Sequence, residues 1–250
     1  MKPRLDELIV SRGLATDLRE ARGKILAGEI LSGDQRMDKA GVRLATSTPL
    51  RWRPRRGHGY VGRGGLKMES ALRQLNIDPS GLTCLDLGMS TGGFTDCLLQ
   101  WGATQVYGVD VGVGLAHHRL VTDPRVHIIE GTHTKDLTRE HIPVPCDICV
   151  ADISFNALAR VVEPATQFLK RGATGILLVK PQFELSASEV NSYGDRGVIT
   201  DPEAQLLALE RSIASITSSG WKFLKSIKSE TKGSKGNQEF FLHLEWSGST

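Results

Sequence analysis

From Gly81 onward the chain alternates short apolar runs with amphipathic stretches, and this alternation constrains the fold more than any other feature. Strand candidates are Leu82–Leu87, Gln105–Asp110, Val126–Glu130, Asp147–Ile153 and Gly175–Lys180, then Trp221–Ser229 and Gln238–Trp246. Helical stretches at Gly93–Gln100, Ala157–Lys170 and Asp201–Ser218 separate them. Strands joined through helices cannot pair as tight hairpins, so a parallel sheet covered on both faces is predicted. Only Lys232-Gly233-Ser234-Lys235-Gly236-Asn237 lies between the last two strands, which predicts an antiparallel hairpin at one sheet edge. The fold class is therefore α/β, a doubly wound, mostly parallel seven-stranded sheet. A chain of 250 residues can bury such a core without disulfide staples.

The first strand carries Asp86 and runs into Leu87-Gly88-Met89-Ser90-Thr91-Gly92-Gly93-Phe94-Thr95, a glycine-rich turn that opens a helix. The second strand ends in another acid, Asp110. Doubly wound sheets bind ligands at the carboxyl ends of their strands. Glycines there let the backbone approach a ligand, and the second-strand carboxylate accepts hydrogen bonds from ribose hydroxyls. The spacing Gly88-x-x-x-Gly92-Gly93 departs from the dinucleotide pattern G-x-G-x-x-G, whose helix start receives a pyrophosphate. Asp86 would repel a pyrophosphate and suits a cationic ligand, such as the amino group of S-adenosylmethionine. A dehydrogenase and a ligand-free turn are the alternatives.

Charge divides the chain. Residues 1–65 hold 14 Lys and Arg against 7 Asp and Glu, net +7, which leaves 17 against 21, net −4, in the remainder. A basic module joined to a near-neutral body points to a polyanionic partner, because clustered cations displace counterions from phosphate backbones. Residues 4–12 read as a short helix stopped by Gly13, and a second helix runs from Thr16, as N-cap, to near Gly28. This second helix puts Arg19, Arg22 and Lys24 on or near its exposed side. Strand-like pieces follow at Glu29–Leu31 and Val42–Leu44, separated by the turn Ser32-Gly33-Asp34. Leu50–Gly59 reads as a linker, since proline, glycine and like charges oppose regular structure. The apolar positions Leu5, Leu8 and Ile9 form the narrow stripe of a helix packed on its own core rather than on a membrane. No apolar run is long enough to span a bilayer, the N-terminus lacks the apolar stretch of a signal peptide, and four cysteines suit a reducing compartment. A soluble, cytoplasmic protein is expected.

The glycine turn, together with Gly62-Arg63-Gly64-Gly65-Leu66-Lys67 before it and Asp152-Ile153-Ser154-Phe155 after it, resembles the TlyA family of ribosomal RNA 2′-O-methyltransferases, some members of which are labelled hemolysins. Residues 1–60 resemble an S4-like RNA-binding domain, α+β in class, and residues 61–250 an FtsJ-type methyltransferase domain. The resemblance implies S-adenosyl-L-methionine as cofactor and ribosomal RNA, within ribosomal subunits, as partner. It also implies a catalytic tetrad of Lys67, Asp152, Lys180 and Glu239. A ribose hydroxyl is a poor nucleophile until its proton is removed, and lysine does this only if its pKa falls well below the usual value of about 10.4. In this scheme Lys180, at the end of the apolar run Ile176–Val179, is the base, and Asp152 orients it. Lys67 acts as a neighbouring cation, and Glu239 orients the network. Donor contacts are implied for Gly88, Ser90, Thr91, Gly92, Gly93, Phe94 and Thr95. Asp86 would face the methionine amino group and Asp110 the ribose. His133 is a further implied contact, at a position where family members commonly carry Asn. Arg4, Arg12, Arg19, Arg22, Lys24, Arg36 and Arg63 are the candidate RNA contacts. The competing classes are a non-catalytic RNA-binding protein and a membrane-active hemolysin. The four tetrad residues speak against the first, and the absence of a spanning or strongly amphipathic segment against the second.

Cys146-x-x-Cys149 is better read as two buried thiols on opposite faces of a strand than as a redox or zinc motif. His117 and His118 are expected on a helix surface. Pro181–Thr200 reads as either a lid or a surface loop, and Lys225, Lys228, Lys232 and Lys235 as either an RNA path or a solvated edge.

Overall fold

The computed structural model describes residues 2–26, 28–33, 35–52, 59–154, 156–233 and 235–248. Its centre is a seven-stranded sheet in the order β11-β12-β8-β7-β4-β5-β6. The strands are β4 (Thr83–Leu87), β5 (Gln105–Val109), β6 (Val126–Ile129), β7 (Cys146–Ala151), β8 (Leu169–Val179), β11 (Trp221–Lys228) and β12 (Phe240–Trp246). All seven expected strands are present. β4 through β8 pair in parallel, whereas β12 lies between β8 and β11 and is antiparallel to both, which places the expected hairpin at the sheet edge. The run Ile176-Leu177-Leu178-Val179 is buried on both sides of the sheet, as a continuously apolar inner strand requires. One face packs Leu177, Val179 and Leu242 against α6 (Leu158–Val162) and α9 (Pro202–Thr217). The other packs Ile176, Leu178 and Phe241 against α3 (Arg63–Leu75) and α4 (Gly93–Gln100).

Several local expectations give way to identifiable physics. The helix expected over Ala157–Lys170 stops after Val162, continues as a 3₁₀ segment over Glu163–Phe168, and yields to β8 at Leu169. Pro164 lacks the amide an α-helix would use there. Cys146 and Cys149 are both buried, yet they join the same core cluster rather than opposite faces. A register shift against β8 between Cys146 and Ile148 breaks the strand's alternation. Val42–Leu44 is not a strand, because Arg43 makes only a single bridge to Arg4. The partners of β1 (Ile30–Ser32) are instead β2 (Gln35–Arg36) and β3 (Arg51–Trp52). Residues 53–58 of the expected linker, Asp34, Phe155 and Ser234 lie outside the described residues. The stretch 181–200 is a folded unit rather than a bare loop. It comprises α7 (Pro181–Glu184), α8 (Ala187–Tyr193) and the pair β9 (Gly194–Asp195) and β10 (Val198–Ile199). Asn237 clamps it to the chain before β12, accepting from the Ile199 amide at 2.8 Å and donating to the Gly197 carbonyl at 2.9 Å.

The basic N-terminal residues build their own apolar cluster of Leu5, Ile9, Ala21, Ile25 and Ile30. Helix α1 spans Leu5–Ser11. Helix α2 spans Leu18–Leu26, starting later than Thr16 would have it, because Asp17 Oδ1 accepts the Glu20 amide at 2.7 Å. Thr16 instead donates its hydroxyl to the Glu20 carboxylate at 2.7 Å. The buried Asp6 carboxylate accepts from Arg4 at 3.0 Å and from Arg22 at 3.1 Å, tying the two helices together. The hydrogen bond from Arg4 holds the Asp6 carboxyl below its ordinary range. Its stabilisation is therefore present above about pH 4 and lost as pH falls through the depressed value. Asp6→Ala is expected to cost this unit about 2 kcal/mol, the penalty for removing a buried charged acceptor. Hydrogen exchange at the Leu5 and Ile9 amides measures that loss, and parent-like protection there would show that Asp6 does not hold the unit.

Candidate active site

The carboxyl ends of β4, β5, β7 and β8 converge on one rim. Gly88 turns the chain after β4 with φ +79°, and a Cβ there would lie 2.9 Å from the Asp152 carbonyl. A larger residue would therefore push β4 and β7 apart where the site opens. Ser90 also adopts a left-handed conformation, φ +50°. Its amide donates to Asp110 Oδ2 at 2.7 Å, while Asp110 Oδ1 accepts the Gly112 amide at 2.7 Å. Asp86 is 1% exposed. Its Oδ2 accepts the Thr95 hydroxyl at 2.7 Å and the Thr95 amide at 3.1 Å. Oδ1 is buried with no hydrogen-bond partner. Burial pushes the Asp86 carboxyl up to about 7, and the nearby Asp152 and Asp110 carboxylates add to the rise. A buried acceptor without a donor is costly unless a ligand satisfies it.

Two contiguous clefts open on this rim. One, of about 360 Å³, is lined by Asp110, Val111, Leu115, Thr132, His133 and Ser154 among others. The second, of about 250 Å³, is lined by Asp86, Thr91, Gly93, Phe94, Asp152, Ser154 and Lys180 among others, and Gly88, Ser90, Asp152 and Ser154 line both. Of the expected donor contacts, all but Gly92 and Thr95 line these clefts. Thr95 acts through Asp86, and a Cβ on Gly92 would collide with Leu120. Gly93 lies where α4 meets α3, and a Cβ on it would sit 2.9 Å from the Gly65 amide and 3.0 Å from the Gly64 Cα. Glycines on both helices thus permit a close approach that brings the start of α3, with Lys67, to the rim.

The tetrad residues come together as two ion pairs. The Lys180 ammonium lies 2.5 Å from Asp152 Oδ1, and the Lys67 ammonium pairs with Glu239 Oε2. Both lysine side chains are only 11% exposed. The pairing Phe240↔Val179, carried one residue further, sets Glu239 opposite Lys180 across β12 and β8. The cation expected in Lys67 is thus compensated by Glu239. Each lysine has its own carboxylate, since an isolated ammonium in so enclosed a site would be costly.

The candidate RNA contacts divide by exposure. Arg36 and Arg63 are exposed, on β2 and at the first turn of α3. Arg19 is exposed and reaches Glu130 at 3.4 Å, joining α2 to the end of β6. Arg4 and Arg22 are about 40% exposed around Asp6, and Arg12 donates to the carbonyls of Thr46 and Thr48. Lys24 is not on an exposed face. Its side chain is 11% exposed, paired with Glu20 and 4.3 Å from the Trp52 ring centroid. His117 caps the short helix α5 (His118–Val121), its Nδ1 accepting the Arg119 amide at 3.2 Å, and His118 is exposed.

Sequence reasoning missed α3 and Asp96. The spacing of Met68, Ala71, Leu72 and Leu75 was a legible helical stripe, and all four are buried. Asp96 is 4% exposed in α4 and accepts the Val61 amide at 2.6 Å, anchoring the chain that leads into α3. Nothing in the sequence distinguishes it from an ordinary first-turn acid.

Residues 60–246 match the FtsJ-like methyltransferase family. The chain is 38% identical to YqxC of Bacillus subtilis, over 99% of this chain and 87% of that protein. It is 36% identical to the 16S/23S rRNA (cytidine-2′-O)-methyltransferase TlyA of Mycobacterium tuberculosis, over 97% of this chain and 90% of that one. A hemolysin-labelled structure from Streptococcus thermophilus superposes with TM-score 0.73 at 31% identity, covering 99% of this chain and 90% of that chain. No helix among the described residues is long and apolar enough to cross a membrane. Near full-length likeness at these identities, on a rim that gathers two lysines and two acids beside a glycine turn, makes this chain a member of the TlyA family, with an FtsJ-like methyltransferase domain.

Proposed function

We propose that the chain transfers the methyl group of S-adenosyl-L-methionine to a ribose 2′-hydroxyl of ribosomal RNA, a cytidine within a ribosomal subunit, in the cytoplasm. The observation that carries this reading is the pair of enclosed Lys–carboxylate contacts beside the glycine turn. The donor fits the residues present: Asp86 Oδ1 is a buried acceptor awaiting a cation, and Asp110 faces a cleft of nucleoside size. Asp86 would hold the amino group and Asp110 the ribose, with Phe94 and Gly88 shaping the wall between them. When bound, the donor supplies an electrophilic methyl on a sulfonium, which departs as a neutral thioether.

The rest of the chemistry belongs to the chain. Lys180, unprotonated, takes the proton of the acceptor hydroxyl as the oxygen attacks. Asp152 stabilises the ammonium that results and fixes its position. Lys67, anchored by Glu239, faces the polyanionic substrate from α3. Residues 1–60 form the RNA-binding domain and 61–250 the catalytic one. Arg19, Arg36 and Arg63 supply phosphate contacts, and Arg4, Arg12, Arg22 and Lys24 support the shape of that surface. Double-helical RNA is gripped largely through backbone and shape, and the target nucleotide is splayed out to reach the rim. The test incubates the protein with methyl-labelled donor and separated ribosomal subunits, then maps modified riboses. Label on the 2′-oxygen of a cytidine is expected. Label on base atoms, or none in either subunit, would overturn the reading.

A further inference from the structure

Lys180 has a second partner besides Asp152. Its Nζ lies 3.0 Å from the Ser154 hydroxyl oxygen, which accepts the hydrogen bond. The parallel pairing Ala151↔Leu177, carried three residues on, sets Ser154 level with Lys180 at the ends of β7 and β8. Ser154 also lines both clefts, so it stands where the donor side meets the acceptor side. No other partner of its hydroxyl occurs among the described residues.

We infer that Ser154 is a positioning residue that aims the Lys180 lone pair, an inference that rests on the base role proposed for Lys180. An unprotonated primary amine has two N–H bonds and one lone pair. Ser154 accepts one N–H in a directed hydrogen bond, and the Asp152 carboxylate, an ion-pair partner at 2.5 Å whose Oδ1 has no aligned hydrogen bond, draws the other by charge. The lone pair is left facing away from both of them, on the side of Nζ that borders the cleft. With Asp152 alone, the amine would keep only that undirected attraction and rotate about its Cε–Nζ bond, and its lone pair would sweep through orientations that miss the acceptor hydroxyl. A neutral hydroxyl suits the task because it orients the amine without adding a second negative charge that would hold the ammonium form. Loss of such alignment is felt in the chemical step rather than in binding.

Ser154→Ala and Ser154→Thr test this in the full chain. Methyl transfer to ribosomal subunits is measured as kcat and KM for RNA, and donor affinity by calorimetry. Ser154→Ala is expected to lower kcat between about 10- and 100-fold while KM and donor affinity stay within about twofold, and Ser154→Thr, which keeps the hydroxyl, to recover kcat to within about threefold of wild type. An active wild type matched in kcat by Ser154→Ala overturns the inference alone. So does a Thr variant as impaired as Ala, or a loss confined to KM, because either means that the hydroxyl does not aim the amine. A wild type that transfers no methyl group to RNA overturns the base role, and the inference falls with it.

Discussion

Lys180→Arg is expected to lower methyl transfer by about 10³-fold under single-turnover conditions, within the range that general-base catalysis contributes. The variant is chosen so that only one property of the side chain is lost. A guanidinium keeps the positive charge, still pairs with Asp152 and still fills the enclosed space, but it does not give up its proton in a protein. Donor affinity and RNA binding should therefore stay within about threefold of wild type, since neither depends on the proton. Lys180→Met is the companion. It removes the ammonium and leaves the Asp152 carboxylate, only a quarter exposed in the parent chain, without a cation. That variant should be equally inactive and also less stable, whereas the Arg variant should melt close to wild type. Retention of more than about a tenth of wild-type turnover by Lys180→Arg would mean that Lys180 supplies charge rather than a proton acceptor.

Part of this site is legible in the amino-acid sequence itself. Asp152 and Lys180 could be placed at the rim from the sequence, because each follows a strand whose apolar run fixes both its existence and its polarity. Lys67 and Glu239 could not be placed by pattern alone. One rides on a helix whose apolar stripe is legible but whose docking against α4 is not, and the other precedes an antiparallel strand whose neighbours depend on long-range pairing. The resemblance named all four residues and gave Asp152 to Lys180, as found, but it left the ammonium that meets Glu239 open. That partner is a matter of reach in three dimensions, and it is Lys67. The early end of α6 at Pro164 was readable in principle, since a single proline outweighs the amphipathic spacing around it. The burial of Lys24 was not, because Trp52 comes to it from a strand almost thirty residues further along.

Asp86→Asn is the other substitution with a large expected effect, and its consequences run in opposite directions for binding and for stability. Burial pushes the Asp86 carboxyl up to about 7 in the ligand-free protein. An unfolded Asp titrates near 3.9, so ionising Asp86 in the folded state costs stability progressively between about pH 4 and 7, and the loss is complete above that range. The amide has no such titration. The melting temperature of Asp86→Asn relative to wild type should therefore climb between pH 5 and pH 8, whatever fixed penalty the buried amide carries. Donor affinity should move the other way. If the carboxylate receives the donor's ammonium, binding requires the ionised form, and wild-type affinity should fall about tenfold for each pH unit below 7. Asp86→Asn should bind the donor about 100-fold more weakly than wild type at pH 7.5, the usual scale for removing one partner of a buried charge pair, and should lose the pH slope. Calorimetric titrations at pH 6, 7 and 8 decide the matter. A wild-type affinity flat across that range, matched by Asp86→Asn, would place the donor's cation elsewhere and leave Asp86 as a structural partner of Thr95 alone.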